Sequence, residues 1–133
     1  MARLPAMSSP RALHEAVRER CRSLPGAVVD YPWGPEDEVY KVGGKAFAFM
    51  GTGDPPYTVS LKCDPNRVPG LRAVHPGITV PHYLNKNHWN SVAIHERIPR
   101  GELLELVSHS YDMVVAKLPK RVRDELVAPA GRA

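Results

Sequence analysis

Two adjacent glycines between two alternating segments constrain the fold of this chain more than any other feature. Gly43-Gly44 separates residues 38–42 from residues 45–50, and both segments are rich in β-branched and aromatic side chains. Glycine tolerates the positive φ angles that a two-residue hairpin turn requires. The pattern therefore predicts a β-hairpin over these residues.

The length of the turn also predicts the register of the hairpin. Val42 then lies opposite Lys45, and Tyr40 lies opposite Phe47. Because side chains alternate between the two faces of a strand, we expect these two aromatic residues to share one buried face with Val42 and Phe49. Lys45 lies at the turn end of that face, where its stem covers apolar surface while its ammonium group reaches water or a ligand.

Helical patterns lie on both sides of the predicted strands. Ser9 before Pro10 is typical of a helix start. Asp64-Pro65 predicts a short helix that Pro69-Gly70 kinks or breaks, and residues 27–31 are β-prone. The other boundaries that we predict are 10–24 and 99–118 for two long helices, 57–62 and 89–95 for further strands, and 120–126 for a short final helix.

The size and composition of the chain indicate one soluble domain. A length of 133 residues suffices for a core without disulfides, and we predict a single domain over residues 1–133 with its core at about 9–120 and frayed ends. Cys21 and Cys63 are interpreted as reduced structural thiols. No apolar run approaches the ~20 residues that span a bilayer, and residues 1–10 lack a signal sequence, which favours a cytoplasmic location without membrane partners.

The net charge of +4 makes nucleic acid or another polyanion a candidate partner. No segment forms a basic tail, so folding must assemble any DNA-binding surface from separate elements. The stretch before the last predicted strand is dense in suitable groups, since Tyr83, Lys86, His88 and Trp89 supply hydrogen-bond donors, positive charge and flat rings. Alternatively, Tyr83 and Trp89 close one end of the core.

Catalytic and metal-binding patterns are weak. His75, His82, His88 and His95 straddle several predicted elements without the spacing of a metal motif, so we predict neither a metal site nor a cofactor. Phosphate-binding glycine loops and nucleophile motifs are absent, and we assign no catalytic residue. The sequence does not support an enzymatic function. An active site formed by residues scattered along the chain is the remaining enzymatic alternative.

Several short motifs in a fixed order resemble the MmcQ/YjbR family of small bacterial proteins. They are Leu24-Pro25-Gly26, Tyr40-Lys41-Val42-Gly43-Gly44-Lys45-Ala46-Phe47-Ala48, Leu61-Lys62-Cys63-Asp64-Pro65, Tyr83-Leu84-Asn85-Lys86-Asn87-His88-Trp89 and Ser110-Tyr111. The resemblance covers about residues 9–120. It implies an α+β fold like that of CyaY and frataxin, with an antiparallel sheet and helices on one face, and a DNA-binding function. The acidic first helix with which frataxins bind iron is basic here, so an iron role does not carry over.

Three hypotheses follow. In the leading one, Lys45, Lys62 and Lys86 contact the phosphates of DNA while Tyr83 and Trp89 stack on or wedge between bases. In the second, Lys45, Lys62, Tyr83, Lys86 and His88 form a pocket, either sequestering or enzymatic, for a small anionic or aromatic molecule. In the third, the lysines are solvated, Trp89 is fully buried, and the domain is structural or binds a protein partner. The sequence predicts no oligomeric state.

Overall fold

The computed structural model describes residues 9–95 and 97–132, with side chains up to residue 126. Its elements are α1 Pro10–Ser23, β1 Val28–Asp30, β2 Asp37–Val42, β3 Lys45–Gly51, β4 Tyr57–Lys62, α2 Val68–Val74, β5 Ile78–Thr79, β6 Trp89–Ile94, α3 Arg100–Val115 and α4 Lys120–Arg132. The strands form one antiparallel sheet in the order β1-β2-β3-β4-β6-β5. The predicted α+β class with an antiparallel sheet is confirmed.

Helices α1 and α3 pack against each other and against one face of the sheet, and the core lies between these layers. α1 begins as predicted, because the Ser9 hydroxyl oxygen accepts a hydrogen bond of 3.1 Å from the Ala12 N–H. On the sheet, Tyr57, Val59 and Leu61 alternate toward this core. We call the opposite face of the sheet, which these two helices leave uncovered, the open face.

The predicted hairpin forms, with φ angles of 58° at Gly43 and 80° at Gly44. Its predicted register is wrong beyond the first two pairs. The structure pairs Lys41 with Ala46 but Tyr40 with Ala48, so Phe47 is an extra residue that forms a β-bulge. An extra residue shifts the alternation by one position. Phe47 and Ala48 are therefore both buried, and Phe49 lies on the open face instead of beside Tyr40.

The segment after β4 also differs from the prediction. The Asp64 carboxylate accepts a hydrogen bond of 2.9 Å from the Asn66 N–H, which makes a turn, and α2 begins only at Val68. Pro69 then lies in the first turn of the helix, where a missing N–H costs nothing, so it neither kinks nor breaks α2. Strand β5 was not predicted, because two residues are too short to show alternation.

At the C-terminus, α4 extends to Arg132, past the predicted end at residue 126. The fraying that we predict for the N-terminus falls on residues 1–8, outside the described residues. Cys21 and Cys63 are free and buried; burial raises the pKa of the Cys21 thiol to about 12 and also raises the pKa of the Cys63 thiol. In the part of the chain that the structure describes, no helix has the length and apolar character needed to cross a membrane.

Candidate functional site

Strands β3 and β4 separate at one end of the sheet, and a serine from α3 lies between them. Their last pair is Ala48 with Leu61. Beyond it, the Lys62 N–H donates a hydrogen bond of 2.8 Å to the Ser110 hydroxyl, which in turn donates one of 2.5 Å to the Phe47 carbonyl. The fully buried hydroxyl thus supplies a partner to both backbone groups and keeps the strands apart.

A cleft of about 420 Å³ lies beside this gap. Ala46, Lys62 and Trp89 reach it from the sheet, whereas Val114 and Leu118 belong to α3 and the turn after it. The cleft therefore lies between this end of the sheet and the C-terminal end of α3. We call it the lysine cleft, and its lining residues are Lys45, Ala46, Lys62, Trp89, Val114, Lys117 and Leu118.

The lysine cleft concentrates positive charge. Lys45 comes from the turn end of β3, Lys62 from the end of β4, and Lys117 from the turn after α3. Among the residues that the structure describes, none that lines the cleft carries a carboxylate, and none forms an ion pair with these three lysines. Three uncompensated ammonium groups in one cavity favour an anionic occupant.

An aromatic ring lies next to this charge. Lys62 and Trp89 are cross-strand partners, and the Lys62 ammonium nitrogen is 5.9 Å from the centroid of the Trp89 ring. This is the geometry of a cation–π contact. Trp89 is half-buried, whereas the third hypothesis, of a structural or protein-binding domain, requires it to be fully buried.

Trp89 belongs to a row of three aromatic rings on the open face. Phe49 contacts Trp89 edge to face, with centroids 5.5 Å apart, and stacks with Trp33 at 6.1 Å. Trp33 comes from the loop between β1 and β2 and is 67% exposed. We call Trp33, Phe49 and Trp89 the aromatic row. The row extends from Trp89, which lines the lysine cleft, through Phe49 to Trp33.

A second hollow, of about 500 Å³, lies along α4 and is lined by Lys120, Arg121, Asp124 and Glu125. Its two positive charges are matched by two negative ones, and Lys120 pairs with Asp124 at 2.8 Å. No aromatic ring of the described residues lines it. Although it is larger, this hollow has weaker chemical grounds for recognising a ligand than the lysine cleft.

The structure brings together three of the six residues predicted as a binding site. Lys45, Lys62 and Trp89 line the lysine cleft, as described above. Tyr83, Lys86 and His88 are exposed in the loop before β6 and do not contribute to the described lining of the cleft. That loop is held in place by Arg72, whose guanidinium donates to the carbonyl oxygens of Lys86 and Trp89 and to the side chain of Asn90.

Sequence reasoning missed three residues of this surface. Lys117 carries no local signal, because it is one lysine at the end of a helical pattern. Trp33 lies between proline and glycine residues, a composition that predicts a rigid loop and no binding role. Phe49 was assigned to the core face, and only the bulge at Phe47 brings it beside Trp89.

The histidines considered as metal ligands do not form a described metal site. Among the described residues, no group of three or more His, Cys, Asp or Glu side chains is arranged to hold a metal ion. His75 contacts the Glu102 carboxylate at 2.5 Å instead. His109, which we did not consider, accepts a hydrogen bond from the Asp64 N–H; burial and the nearby Arg67 lower the pKa of its imidazole, which keeps the accepting nitrogen unprotonated.

The model of the YjbR family matches residues 22–113, which include every residue of the aromatic row and two lysines of the cleft, but not Lys117. The chain is 33% identical over 111 residues to the uncharacterized protein YbdF of Escherichia coli O157:H7, covering 84% of this chain and 91% of that protein. It is 32% identical over 109 residues to the uncharacterized protein YjbR of Escherichia coli K12, covering 80% and 91%.

Two solved structures share the fold. Deinococcus radiodurans protein DR2400, which carries the domain DUF419, is 35% identical with a TM-score of 0.79, and the match covers 84% of this chain and 86% of that one. A protein from Pseudomonas syringae has a TM-score of 0.65 at 23% identity over 74% of this chain and 96% of that one, a likeness that concerns the fold alone. With its family match, its relatives and its fold in agreement, this chain belongs to the YjbR family.

Proposed function

We propose that the chain binds nucleic acid, with DNA as the leading candidate, and that the lysine cleft is the contact site. The observation that carries this proposal is the meeting of three ammonium groups with the Trp89 ring in one cavity. Lys45, Lys62 and Lys117 neutralise phosphate groups, and Trp89 offers a flat surface for a base. The +4 net charge favours the approach of a polyanion.

The proposal is tested by removing charge inside and outside the cleft. In a fluorescence anisotropy titration with a labelled oligonucleotide, Lys45→Ala together with Lys62→Ala weakens binding. It also makes the negative slope of log affinity against log salt shallower, by roughly 0.7–0.9 for each phosphate contact removed. The matched control is Lys120→Ala with Arg121→Ala, which removes the same charge from α4, and it leaves the slope nearly unchanged.

Two results oppose this function. Undetectable binding of single-stranded and duplex oligonucleotides at low salt would exclude it. Equal losses in the cleft pair and the α4 pair would reduce the interaction to general attraction by net charge. Lys86→Ala is measured separately, because the sequence predicts Lys86, Tyr83 and His88 as part of the binding surface. A loss of oligonucleotide affinity in this variant would extend the site into the loop before β6.

A small anionic molecule with a ring is the second candidate. The cleft volume of about 420 Å³ supports it, since small-molecule sites typically enclose ~300–1,000 Å³. Thermal-shift measurements with inorganic phosphate and nucleoside monophosphates test it, because a ligand bound to the native state raises the melting temperature. A shift with nucleoside monophosphates that Lys62→Ala abolishes, without affinity for oligonucleotides, would favour this candidate over nucleic acid.

A further inference from the structure

We infer that the nucleic acid is single-stranded, and that its unpaired bases stack on the aromatic row Trp33, Phe49 and Trp89. This inference rests on the proposed function, because it specifies what the lysine cleft holds. The shared chemistry is that of an unpaired nucleotide strand, DNA or RNA. It adds Trp33, at the far end of the row, to the binding residues.

The first support is the position of the row on the open face. Phe49 pairs with Ser60 of β4, and Ser60 pairs with Ser91 of β6, so small side chains lie beside the Phe49 ring on this side. On the β2 side its partner is Val39, which is buried. α1 and α3 lie on the opposite face. A strand of nucleotides can therefore lie flat on this surface.

The second support is the exposure of Trp33. Its side chain is 67% exposed, so most of its ring surface contributes nothing to the core. One part of the ring stacks with Phe49, with an interplanar angle of 29°. A large flat ring held by a neighbouring ring but left open to solvent is suited to stacking with a base, which is how proteins bind single strands without sequence preference.

The third support is the distribution of charge along the row. The lysine cleft lies at the Trp89 end. At the Trp33 end, Glu36 and Asp37 are exposed, and Asp30 is neutralised by Lys41 at 3.0 Å. Phosphates are therefore attracted at one end of the row and repelled at the other.

This polarity excludes a duplex from the row. A double helix presents phosphates from two strands and keeps its bases stacked inside, so it would place phosphates over Glu36 and Asp37 and leave Trp33 without a base to contact. A single strand can keep its phosphates at the lysines and turn its bases toward the rings. The same polarity predicts a short footprint of a few nucleotides, at the low end of the ~4–16 nucleotides that single-strand modules cover.

The experiment compares Trp33→Ala with wild type on three matched probes: a single-stranded oligonucleotide, the same strand annealed into a duplex, and an abasic strand of equal length. DNA and RNA versions are separate arms that identify the source. We expect wild type to prefer the single strand, and Trp33→Ala to weaken single-strand binding on the order of ten-fold. On the abasic strand, wild type and Trp33→Ala should bind alike, because only bases contact this ring. Trp33→Phe, which keeps a flat ring, should retain most of the affinity.

The two proposals fail in different ways. If the Lys45/Lys62 variant loses binding while Trp33→Ala does not, or if duplex and single strand bind equally, the nucleic-acid function stands and the single-strand inference is wrong. If no probe binds, both are wrong. Because Trp33 lies largely exposed in a loop, we expect Trp33→Ala to fold, and an unchanged circular dichroism spectrum checks this.

Discussion

Arg18 of α1 holds the carboxylate of Glu38 with two hydrogen bonds, of 3.0 and 2.7 Å, at a position where Glu38 is only 2% exposed. The hydroxyls of Tyr40 and Tyr31 also donate to this carboxylate, at 2.5 and 3.0 Å. Burial by itself raises the pKa of Glu38, but the hydrogen bonds from Arg18 and the tyrosines outweigh it and lower the pKa to about 2. A buried negative charge therefore joins the first helix to the sheet.

This depressed pKa predicts a stability that falls in acid. The folded pKa of about 2 lies below the ordinary value of 4.5, so the folded state takes up the proton less readily than the unfolded chain. The contribution of Glu38 is complete above about pH 4.5 and is lost as the pH falls toward about 2. It amounts to on the order of 3 kcal/mol. Urea unfolding at a series of pH values from about 2 to about 6 measures this loss.

Two variants identify the group responsible. Glu38→Gln should lower the free energy of unfolding at pH 7 and flatten its pH dependence in acid, because the titrating carboxylate is gone. Asp30→Asn is the matched control: Asp30 is exposed on β1, where its carboxylate pairs with Lys41 and accepts a hydrogen bond from the Tyr31 N–H, and the variant should retain most of the dependence. An equally steep acid dependence in Glu38→Gln would contradict the assignment.

Ser110→Ala should destabilise the fold by on the order of 2–4 kcal/mol, because it leaves the Lys62 N–H and the Phe47 carbonyl without their partner. Hydrogen exchange at the Lys62 amide should also become faster. Ser108→Ala is the control: its hydroxyl only accepts from Arg20 in a partly exposed position, so we expect a loss below about 1 kcal/mol. A neutral Ser110→Ala would show that Ser110 does not hold the strands apart.

Gly43→Ala should cost more than Gly44→Ala. Both glycines have positive φ angles, which costs alanine ~1–2 kcal/mol. At Gly43 an added Cβ would also lie 2.7 Å from a methyl carbon of Leu118, whereas at Gly44 it would meet open space. We therefore expect an additional loss of ~1–3 kcal/mol at Gly43 only. Equal melting temperatures for the two variants would mean that Leu118 moves aside freely.

Tyr111→Phe should destabilise by about 1–2 kcal/mol in denaturant unfolding. The Tyr111 hydroxyl donates to the Pro25 carbonyl from a largely buried position and so ties α3 to the end of α1. Tyr83→Phe removes the same atom from a side chain that is 98% exposed, and it should leave stability unchanged. Equal effects in the two variants would show that the bond to Pro25 contributes little.

Local patterns predicted the helices and most strands, because each has its own signal. The capping Ser9 and Pro10 locate the start of α1, and Gly43-Gly44 locates the turn between β2 and β3. The prediction erred where the backbone departs from regular alternation. The bulge at Phe47 has no signature in the residues around it, and it alone changes the face on which Phe49 lies.

The candidate site was predicted in part. Lys45, Lys62 and Trp89 were selected from separate elements, and they do line one cleft. The choice of Tyr83, Lys86 and His88 followed from their closeness to Trp89 along the chain, but these side chains are exposed in the loop that Arg72 holds and are not in the described lining of the cleft. Their role in binding stays a prediction.

The sequence by itself determined most of the helices and strands, because an apolar helix face repeats every three or four residues and an apolar strand face every two. Only the tertiary structure decided which side chains come together in the candidate site. The contacts responsible join residues far apart along the chain, such as Ser110 with Lys62 and Phe49 with Trp89. No local pattern encodes such pairs, because their geometry depends on how the sheet and α3 pack together.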